Sequence, residues 1–411
     1  MSRCCCRRLR SLPTYPFPER RKSAVQQNAG VGVLPGMSIA EKLGLGSDRK
    51  VRYGIVGLGD ISQEALMPGV KHTGNSEITA LVTGDREKAR ALAERYQVGN
   101  IYGYDEFAKF LGSGVADAIY LATPNWRHAE FAIPALKAGV HVLLEKPMEI
   151  DSEKCREIIN AQRASKAKLM IAYRLHFEPA TLALIDLVRS GKLGKLRFFT
   201  SSFAQNVKPE NHRAQNGPDA GPVFDMGPYP INAARNLFEA EPVEVSAFGT
   251  RHGDAQLGDF DHTVAVTMRF PEERLAQFVV SYAGNSIDSY TVVGSEGSAT
   301  VSPGFIYGKS LEYELTVGED KKTESFKNTD QFGGELKYFS ECVLNDRDPE
   351  PDGEEGLMDV RVIEAILRAL ETGTAQKLEP VRRSKRIDTA QVEKLGAVKP
   401  PEPVNAESPA R

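Results

Sequence analysis

The sequence lacks any run of about 18 uncharged apolar residues, which is the length that a membrane-spanning helix needs. It also lacks an excess of basic residues, since 52 lysines and arginines stand against 55 aspartates and glutamates, for a net charge of −3. A general nucleic-acid binder normally carries a basic surplus. The sequence therefore argues against both a membrane and a nucleic acid as partners.

Cysteine is scarce, with five residues in the whole chain. Three are adjacent at positions 4–6, whereas Cys155 and Cys342 stand alone, so no pair has the spacing of a disulfide framework or a zinc finger. Arg20 and Arg21 are not followed by the apolar segment that an export signal requires. These absences predict a reducing, cytoplasmic location and no metal site.

The length of 411 residues predicts two domains, because a domain has roughly 150 residues. Apolar residues make up 41% of the chain and charged residues 26%, which excludes a wholly disordered chain or a coiled coil. We predict a flexible arm over 1–48, a dinucleotide-binding domain over 49–172, a substrate and oligomerisation domain over 173–378 and a flexible tail over 379–411. The arm could be passive or could reach over a partner subunit.

Short apolar runs alternate with helical patterns in the first half of the chain. The runs are typical of buried parallel strands, and they lie at 51–56, 76–83, 116–122, 140–144 and 169–173. The helical patterns between them lie at 62–72, 86–96, 127–138 and 152–165. Alternation at this spacing predicts βαβ units and a doubly wound parallel sheet.

The pattern changes after Glu178. A helix at 179–190 is followed by alternating runs at 196–204, 243–250, 263–270, 275–282, 290–293 and 311–317. Successive strands without helices between them predict a largely antiparallel sheet. Two late helices are expected at 335–345 and 353–372, and the second has a good amphipathic stripe. The predicted fold is therefore α/β, with a second sheet after the parallel one.

A glycine-rich turn, Gly57-Leu58-Gly59-Asp60-Ile61-Ser62, joins the first predicted strand to the first predicted helix. In this setting Gly57 allows the tight turn, and Gly59 lets a pyrophosphate approach the backbone at the helix N-terminus. Ser62 replaces the third glycine of the fingerprint, which weakens the match. We predict that residues 57–61 bind a dinucleotide, against the alternative of an ordinary strand–helix turn.

The end of the second strand bears on the choice between NADP and NAD. Thr83 and Gly84 stand where an NAD site usually has an acidic residue, and Arg86 and Lys88 follow, which favours a ribose 2′-phosphate. Asp85 is the counter-evidence, because it could either cap the next helix or take the acidic role. We predict NADP as the cofactor, with NAD as the alternative.

Two further loops follow predicted strands, and loops at strand C-termini face the ligand crevice. The first contains Thr123, Pro124 and Asn125, with His128 three residues later as either a crevice residue or a helix-surface residue. The second contains Glu145-Lys146-Pro147, in which Lys146 would project into the crevice or remain a solvated loop lysine.

The segment Gly221–Tyr229 opens a predicted helix that runs to about Leu237. Asp225 and Tyr229 are four residues apart, so one helical face can present both. In the alternative interpretation, Asp225 or Gly227 caps the helix and Tyr229 packs in the core. Taken alone, the segment favours that simpler interpretation.

Together these motifs resemble the Gfo/Idh/MocA oxidoreductase family. The resemblance covers about residues 50–375 and rests on the Gly57–Ser62 turn, Thr123-Pro124-Asn125 with His128, Glu145-Lys146-Pro147 and the Asp225/Tyr229 pair. Within the family the chain is most similar to the glucose–fructose oxidoreductase group, which carries Tyr where most members carry His. The segments 82–89, 172–179 and 353–361 also resemble that group.

The resemblance implies a Rossmann domain followed by an α/β domain with a large open sheet, through which a homodimer or homotetramer commonly forms. It implies NADP-dependent hydride transfer at a sugar CH–OH carbon, with Tyr229 moving the hydroxyl proton. Lys146 would stabilise the deprotonated Tyr229 and bind the reacting oxygen, and Asp225 would orient the sugar. Glu145 and Arg174 would contact the cofactor. Tyr173, Arg174 and His176 would line the sugar pocket together with Lys146, Asp225 and Tyr229, although Tyr173 and His176 could equally be packing residues.

The sequence is compatible with three functions. The cofactor could stay bound while one sugar reduces it and another reoxidises it, or it could leave after each turnover, as in an aldose or inositol-type dehydrogenase. The third possibility is a non-catalytic nucleotide sensor on the same fold, since a fold does not fix a function. The combination of Lys146, Asp225 and Tyr229 argues against the sensor.

Overall fold

A computed structural model gives the structure of residues 49–253, 255–383, 385–406 and 408. The predicted arm over 1–48 lies outside these residues. Two sheets dominate the described chain, one of six strands and one of nine. Among the described residues, no helix is both long enough and apolar enough to cross a membrane.

The first sheet consists of six parallel strands in the order β3-β2-β1-β4-β5-β6. Their bounds are β1 Val51–Val56, β2 Ser76–Val82, β3 Asn100–Tyr102, β4 Ala118–Leu121, β5 His141–Glu145 and β6 Leu169–Ala172. The predicted doubly wound parallel sheet is confirmed, although the short β3 was not predicted. The strand order reverses between β1 and β4, and ligands of such sheets bind beyond the carboxyl ends of the strands at this point.

Helices cover both faces of the first sheet. A π-helical turn at Ser62–Leu66 leads directly into the first α-helix; the helices are α1 Met67–Thr73, α2 Arg86–Tyr96, α3 Phe107–Gly112, α4 His128–Lys137 and α5 Ser152–Arg163. The side chain of Asp85 accepts a hydrogen bond from the backbone N–H of Lys88, and Asp151 does the same for Lys154. These caps fix where α2 and α5 begin.

The second sheet has nine strands in the order β14-β13-β12-β11-β7-β10-β9-β8-β15. Their bounds are β7 Leu196–Asn206, β8 Glu244–Thr250, β9 Thr263–Phe270, β10 Arg274–Ser281, β11 Ala283–Gly294, β12 Gly297–Val301, β13 Leu311–Val317, β14 Asp320–Phe326 and β15 Gln376–Lys377. Only the neighbours β7 and β10 are parallel, so the predicted, largely antiparallel sheet is confirmed.

The remaining helices are α6 Pro179–Arg189, α7 Pro222–Asp225, α8 Pro228–Phe238, α9 Gln331–Leu344 and α10 Gly353–Thr372. Helix α10 packs against both sheets. Its first half, including Leu357 and Val360, belongs to the core of the six-stranded sheet, whereas Ile363 and Ile366 belong to the core of the nine-stranded sheet. This helix therefore holds the two sheets in one fixed arrangement.

The segment after residue 378 differs from the predicted flexible tail. Arg383 pairs with Asp352 over 2.8 Å and also contacts Glu355, and Arg386 pairs with Glu241 over 2.9 Å. These carboxylates are far away in the sequence. The composition of the segment therefore showed that it is charged but could not show which residues its charges pair with. Its described residues lie along the body of the fold instead of extending from it.

Candidate active site

A cavity of about 620 Å³ lies beyond the carboxyl ends of the strands of the first sheet. Residues that follow β1, β2, β4, β5 and β6 line one side, and residues from α8, from the nine-stranded sheet and from the loop after β7 line the other. The place is the one that the topology of a doubly wound sheet predicts for a ligand. Most of the predicted site residues lie on its wall.

The glycine turn lies at one end of this cavity. Gly57 has φ of 93°, and a Cβ atom on it would come within 2.4 Å of the carbonyl oxygen of Ala122, so the backbone accepts only glycine there. At Gly59 an added Cβ would meet no protein atom within 4 Å. The fold itself therefore does not need a glycine at position 59, and the open space suits a bound group.

Two buried polar atoms beside the turn fit a dinucleotide. The hydroxyl of Thr123 and one carboxylate oxygen of Asp60 have no hydrogen-bond partner among the described residues, and both residues line the cavity. Buried polar atoms in native proteins normally have a partner, which a bound ligand can supply. The glycine turn and Thr123 thus fit the group that the Rossmann topology implies.

The structure places only some of the residues predicted for the ribose end of the site on the cavity wall. Thr83 and Lys88 line the cavity, whereas Arg86 pairs with Glu106 over 2.6 Å and is not part of the wall. Asp85 caps helix α2, which was one of its two predicted roles. Tyr104 also lines the cavity and was not predicted. A 2′-phosphate would therefore meet Lys88 and Thr83, and not Arg86.

His128 is neither a cavity residue nor a helix-surface residue. Its ring is buried, with Nε2 3.0 Å from the carbonyl oxygen of Thr123 and Nδ1 3.1 Å from that of Pro147. Burial lowers the pKa of His128 to about 4, so the ring is neutral at physiological pH. The side chain braces the two loops that carry Thr123 and Lys146 and is not part of the cavity wall, so a direct contact with the cofactor stays a prediction.

The three predicted catalytic residues come together. The Nζ atom of Lys146 donates to the carbonyl oxygen of Asp225 over 3.0 Å, lies 3.7 Å from its Oδ1 atom and lies 4.7 Å from the centre of the Tyr229 ring. The side chains of Lys146 and Asp225 are only 14% and 15% exposed. Lys146 thus approaches the ring face of Tyr229, while a different cation reaches the phenol oxygen.

That cation is Arg174, whose Nη2 atom donates to the hydroxyl of Tyr229 over 3.1 Å. Its guanidinium also bonds the side chain of Gln331 and the carbonyl oxygen of Phe305. Arg174 is therefore fixed on the side of the cavity that faces the second sheet. It was predicted to contact both cofactor and sugar, and the structure places it beside Tyr229.

Asp225 is held by two residues that sequence reasoning missed. Arg213 lies 3.0 Å from Oδ1 of Asp225, and the hydroxyl of Tyr282 donates to Oδ2 over 3.0 Å. Burial alone would raise the pKa of Asp225, but the charges of Arg213 and Lys146 outweigh it and hold that pKa below its ordinary value. Asp225 is therefore an anion at neutral pH, able to accept hydrogen bonds.

Glu145 lines the cavity beside Lys146, and its carboxylate accepts a hydrogen bond from the hydroxyl of Tyr120 over 2.5 Å. Burial raises the pKa of Glu145. Burial, reinforced by the charge of Glu145, raises the pKa of Glu335 still further. Two interacting buried carboxyl groups cannot both ionise cheaply, so the pair favours a shared proton, and the higher pKa places that proton on Glu335.

Tyr173 and His176 line the cavity, and Nδ1 of His176 is a buried atom with no hydrogen-bond partner among the described residues. The hydroxyl of Tyr173 donates to Asp359 over 2.6 Å, and Nε2 of His176 lies 2.7 Å from the Oδ1 atom of Asn232. Burial lowers the pKa of His176 to about 4. The geometry therefore supports the packing alternative for Tyr173, whereas the free Nδ1 atom of His176 leaves a ligand-binding role for that residue a prediction.

One side of the cavity is aromatic. Phe203 and Phe305 pack against the ring of Tyr229 at centroid distances of 5.6 and 5.7 Å, and Phe332 and Tyr307 pack together at 5.3 Å. Two cations adjoin these rings: Lys146 lies 4.7 Å from the centre of the Tyr229 ring, and Arg174 lies 5.1, 5.2 and 5.7 Å from the rings of Tyr229, Tyr307 and Phe332. A ligand with an apolar face and many hydroxyl groups matches such a wall. The aromatic rings can pack against its apolar face, and the charged groups can hydrogen-bond its hydroxyl groups.

Comparisons with known proteins agree with the fold. A family model described as "Oxidoreductase family, NAD-binding Rossmann fold" matches residues 51–173, and the model of the GFO/IDH/MocA C-terminal domain matches residues 181–300. Each model covers one of the two sheets or much of it. The two matches follow each other along the chain in the order of the two sheets.

Relatives with known names are similar over most of their length. The NADP(+)-dependent D-xylose 1-dehydrogenase of Haloarcula marismortui is 31% identical over 81% of this chain and 94% of its own. A D-xylose 1-dehydrogenase (NADP(+)) of Haloferax volcanii is 29% identical over 80% and 99%. The crystal structure of an aldose-aldose oxidoreductase from Caulobacter crescentus is 33% identical and covers 80% of this chain and all of its own, with a TM-score of 0.76.

Proposed function

The chain belongs to the GFO/IDH/MocA family of oxidoreductases, and from that premise we propose that it is an NADP-dependent enzyme acting on sugars. It transfers a hydride between a CH–OH carbon of a sugar and nicotinamide. One observation carries this proposal: Lys146, Asp225 and Tyr229 approach one another on the wall of the cavity that the glycine turn also lines.

The cofactor is assigned to the glycine turn, with Thr123 beside it and Thr83 and Lys88 at the ribose end. Bound there, NADP supplies the nicotinamide ring that accepts or donates the hydride. Lys88 contributes the positive charge that favours a 2′-phosphate over a free hydroxyl. Asp85, the residue that could have favoured NAD, accepts the helix-capping bond instead.

Oxidation of the sugar also requires a group that takes the hydroxyl proton, and reduction requires the same group to return it. We assign this role to Tyr229, whose hydroxyl is hydrogen-bonded by Arg174. The guanidinium fixes the phenol oxygen and places a positive charge where negative charge develops as the proton leaves. Lys146 brings a second cation to the same wall.

In this proposal, charged groups and aromatic rings of the same cavity orient the sugar. Ionised Asp225 accepts hydrogen bonds from sugar hydroxyls, and Lys146 donates to the reacting oxygen. Phe203 and Phe305 offer an apolar surface to the C–H face of the ring. Polar and apolar contacts together fix the orientation of the sugar, so that only one face of it presents its carbon to the cofactor.

The relatives favour two versions of this function. The haloarchaeal relatives bear the name of a dehydrogenase, and the Caulobacter structure bears the name of an aldose–aldose oxidoreductase, at nearly the same identity. In the second version, one sugar loses a hydride and a proton, and the carbonyl of another sugar gains them. Retention of NADP through several turnovers separates the two versions.

A sugar panel tests the proposal directly. The purified protein is mixed with NADP and single aldoses, and absorbance at the NADPH band is followed. Appearance of NADPH with at least one aldose, and its disappearance when a carbonyl sugar is added, are the expected results. If NADPH binds but no aldose reduces NADP, the sensor function would replace the enzyme. If neither nucleotide binds, the cofactor assignment fails.

We also propose that copies of the chain assemble through the nine-stranded sheet. Large hydrophobic side chains are exposed on it, including the register neighbours Phe198 and Leu275 and also Phe248 and Ile287. Exposed apolar area of this kind commonly marks a protein interface. A charged substitution, Phe248→Lys, is expected to lower the mass measured by light scattering from that of a dimer or tetramer to that of a monomer.

We propose a cytoplasmic location for the protein, on the basis of its cysteines. Cys155 and Cys342 are both buried and free. Free thiols without disulfide partners are typical of a reducing compartment, which supports the expected cytoplasmic location.

A further inference from the structure

The C-terminal segment, residues 393–406 and 408, runs along the first sheet towards the glycine turn. It is held at several points: the N–H of Glu393 donates to the carbonyl oxygen of Phe177 over 3.1 Å, and the N–H of Asp330 donates to that of Leu395 over 3.0 Å. Farther along, Arg95 donates to the carbonyl oxygen of Glu402 over 2.7 Å. Backbone groups make most of these contacts, so they fix the path of the chain.

Gln63 joins this segment to the glycine turn. Its amide nitrogen donates both to the carbonyl oxygen of Leu58 and to that of Val404, each over 3.0 Å, and its amide oxygen accepts from the N–H of Val404 over 2.7 Å. The backbone N–H of Gln63 also donates to the carbonyl oxygen of Gly59. With 1% of its surface exposed, Gln63 uses its side-chain amide entirely for this bridge.

Beyond Val404 the segment reaches the cavity itself. The side chain of Val404 packs against the hydrophobic core on one face of the first sheet, and Ser408 is part of the cavity wall together with Gly57, Gly59 and Thr83. The segment therefore lies against the turn that we assign to the cofactor and continues to the edge of its site.

We propose that the C-terminal segment is a component of the NADP site, and that Gln63 is the positioning residue that connects it to the glycine turn. This inference rests on the proposed function. Escape of a dinucleotide from such a site requires the surrounding loops to open. Two hydrogen bonds from Gln63 to the turn and two to Val404 hold turn and segment together, so they reduce the population of open states. NADP consequently leaves slowly.

Slow release has a chemical consequence. When NADPH remains bound after one sugar has been oxidised by two electrons, its hydride can reduce the carbonyl of a second sugar, and the proton released in the first half-reaction is taken up in the second. The segment would thereby favour sugar-to-sugar transfer over a dehydrogenase that exchanges its cofactor.

The experiment measures the dissociation rate of NADPH. Protein loaded with NADPH is mixed with excess NADP, and the fall in protein-enhanced NADPH fluorescence is recorded. Three proteins are compared with the wild type: a deletion of residues 399–411, Gln63→Leu, and Glu402→Ala as the matched control. Glu402 contacts Arg95 through its backbone carbonyl, so its side chain is not needed.

The deletion and Gln63→Leu are each expected to raise the dissociation rate about tenfold or more, since each removes several hydrogen bonds that hold the closed state. Glu402→Ala should behave as wild type. Thermal unfolding without cofactor checks that each variant folds. If Gln63→Leu does not fold, the dissociation rate of the deletion variant tests the inference. An unchanged rate in the deletion would overturn the inference, as would a slower one, which would mean that the segment obstructs the cofactor. Wild-type protein that binds no NADPH would instead overturn the proposed function.

Discussion

Arg174 donates a hydrogen bond to the hydroxyl of Tyr229 over 3.1 Å, while Lys146 lies against the face of the same ring. The sequence predicted a lysine–tyrosine pair, and the structure adds an arginine at the phenol oxygen to which we assign proton transfer. Because Arg174 is also bonded to Gln331, its position is set from outside the catalytic trio. The arrangement makes the proposed chemistry testable residue by residue.

Tyr229→Phe removes only the hydroxyl that we assign to proton transfer. The rate of hydride transfer in a single turnover is expected to fall about 10²–10⁴-fold, the usual cost of losing general acid–base help. Binding of NADPH should change little. Tyr307→Phe is the matched control, since Tyr307 also lines the cavity but its hydroxyl faces Glu64. A wild-type rate for Tyr229→Phe would make Tyr229 a packing residue.

Arg174→Lys tests whether the arginine acts through Tyr229. A lysine keeps the charge but cannot reproduce the fork of hydrogen bonds to Tyr229, Gln331 and Phe305, so the hydride-transfer rate should fall. The same substitution in the Tyr229→Phe background should have much less effect, because its target is already lost. Equal effects in both backgrounds, measured as a double-mutant cycle, would show that the two residues act independently.

The structure sharpens the prediction for cofactor choice. Thr83→Asp combined with Lys88→Ala is expected to shift the preference from NADP towards NAD by about tenfold or more, because a carboxylate repels the 2′-phosphate and a cation is lost. Arg86→Ala should leave the preference nearly unchanged, since Arg86 is paired with Glu106. Dissociation constants for both cofactors decide the matter. Wild-type protein that prefers NAD would contradict the assignment.

Arg213→Ala tests how Asp225 is kept ionised. The wild-type arginine helps to hold the pKa of Asp225 below its ordinary value, so its loss should raise that pKa. The acid limb of the kcat/KM profile should then move to higher pH, and Arg213→Lys should restore most of the wild-type profile. A profile that keeps its acid limb after Arg213→Ala would show that Asp225 does not control it.

The parts of the fold that follow local patterns could be predicted from the sequence. Apolar runs identified five of the six strands of the first sheet, whereas β3 has only three residues and no fully buried ones to reveal it. In the second sheet, β12, β14 and β15 were missed because short or highly charged strands such as Gln376–Lys377 and Asp320–Phe326 show no apolar alternation. The positions of these strands in the sheet depend on hydrogen bonding to neighbouring strands, which a local sequence pattern does not show.

The site was predictable where a motif joins a strand to a helix. The glycine turn, Lys146, Asp225 and Tyr229 have fixed positions relative to such elements, and the structure brings them to one cavity. Arg213 comes from an irregular loop, and its approach to Asp225 depends on tertiary folding that no local pattern encodes. The sequence offered one signal for Arg213, namely that an arginine lies in the loop before Asp225.

Two buried histidines predict how stability depends on pH. Burial lowers the pKa of His128 and of His176 to about 4, compared with 6.5 for an unperturbed histidine. Between those values the unfolded chain binds protons that the folded chain does not, so the free energy of unfolding falls as the pH drops from 6.5 towards 4. At pH 5 each histidine should account for a loss of about 2 kcal/mol relative to pH 7. Urea unfolding at both pH values should show a smaller difference for His176→Gln than for wild type. An equal difference for His176→Gln would mean that His176 binds its proton as readily in the folded protein as in the unfolded chain.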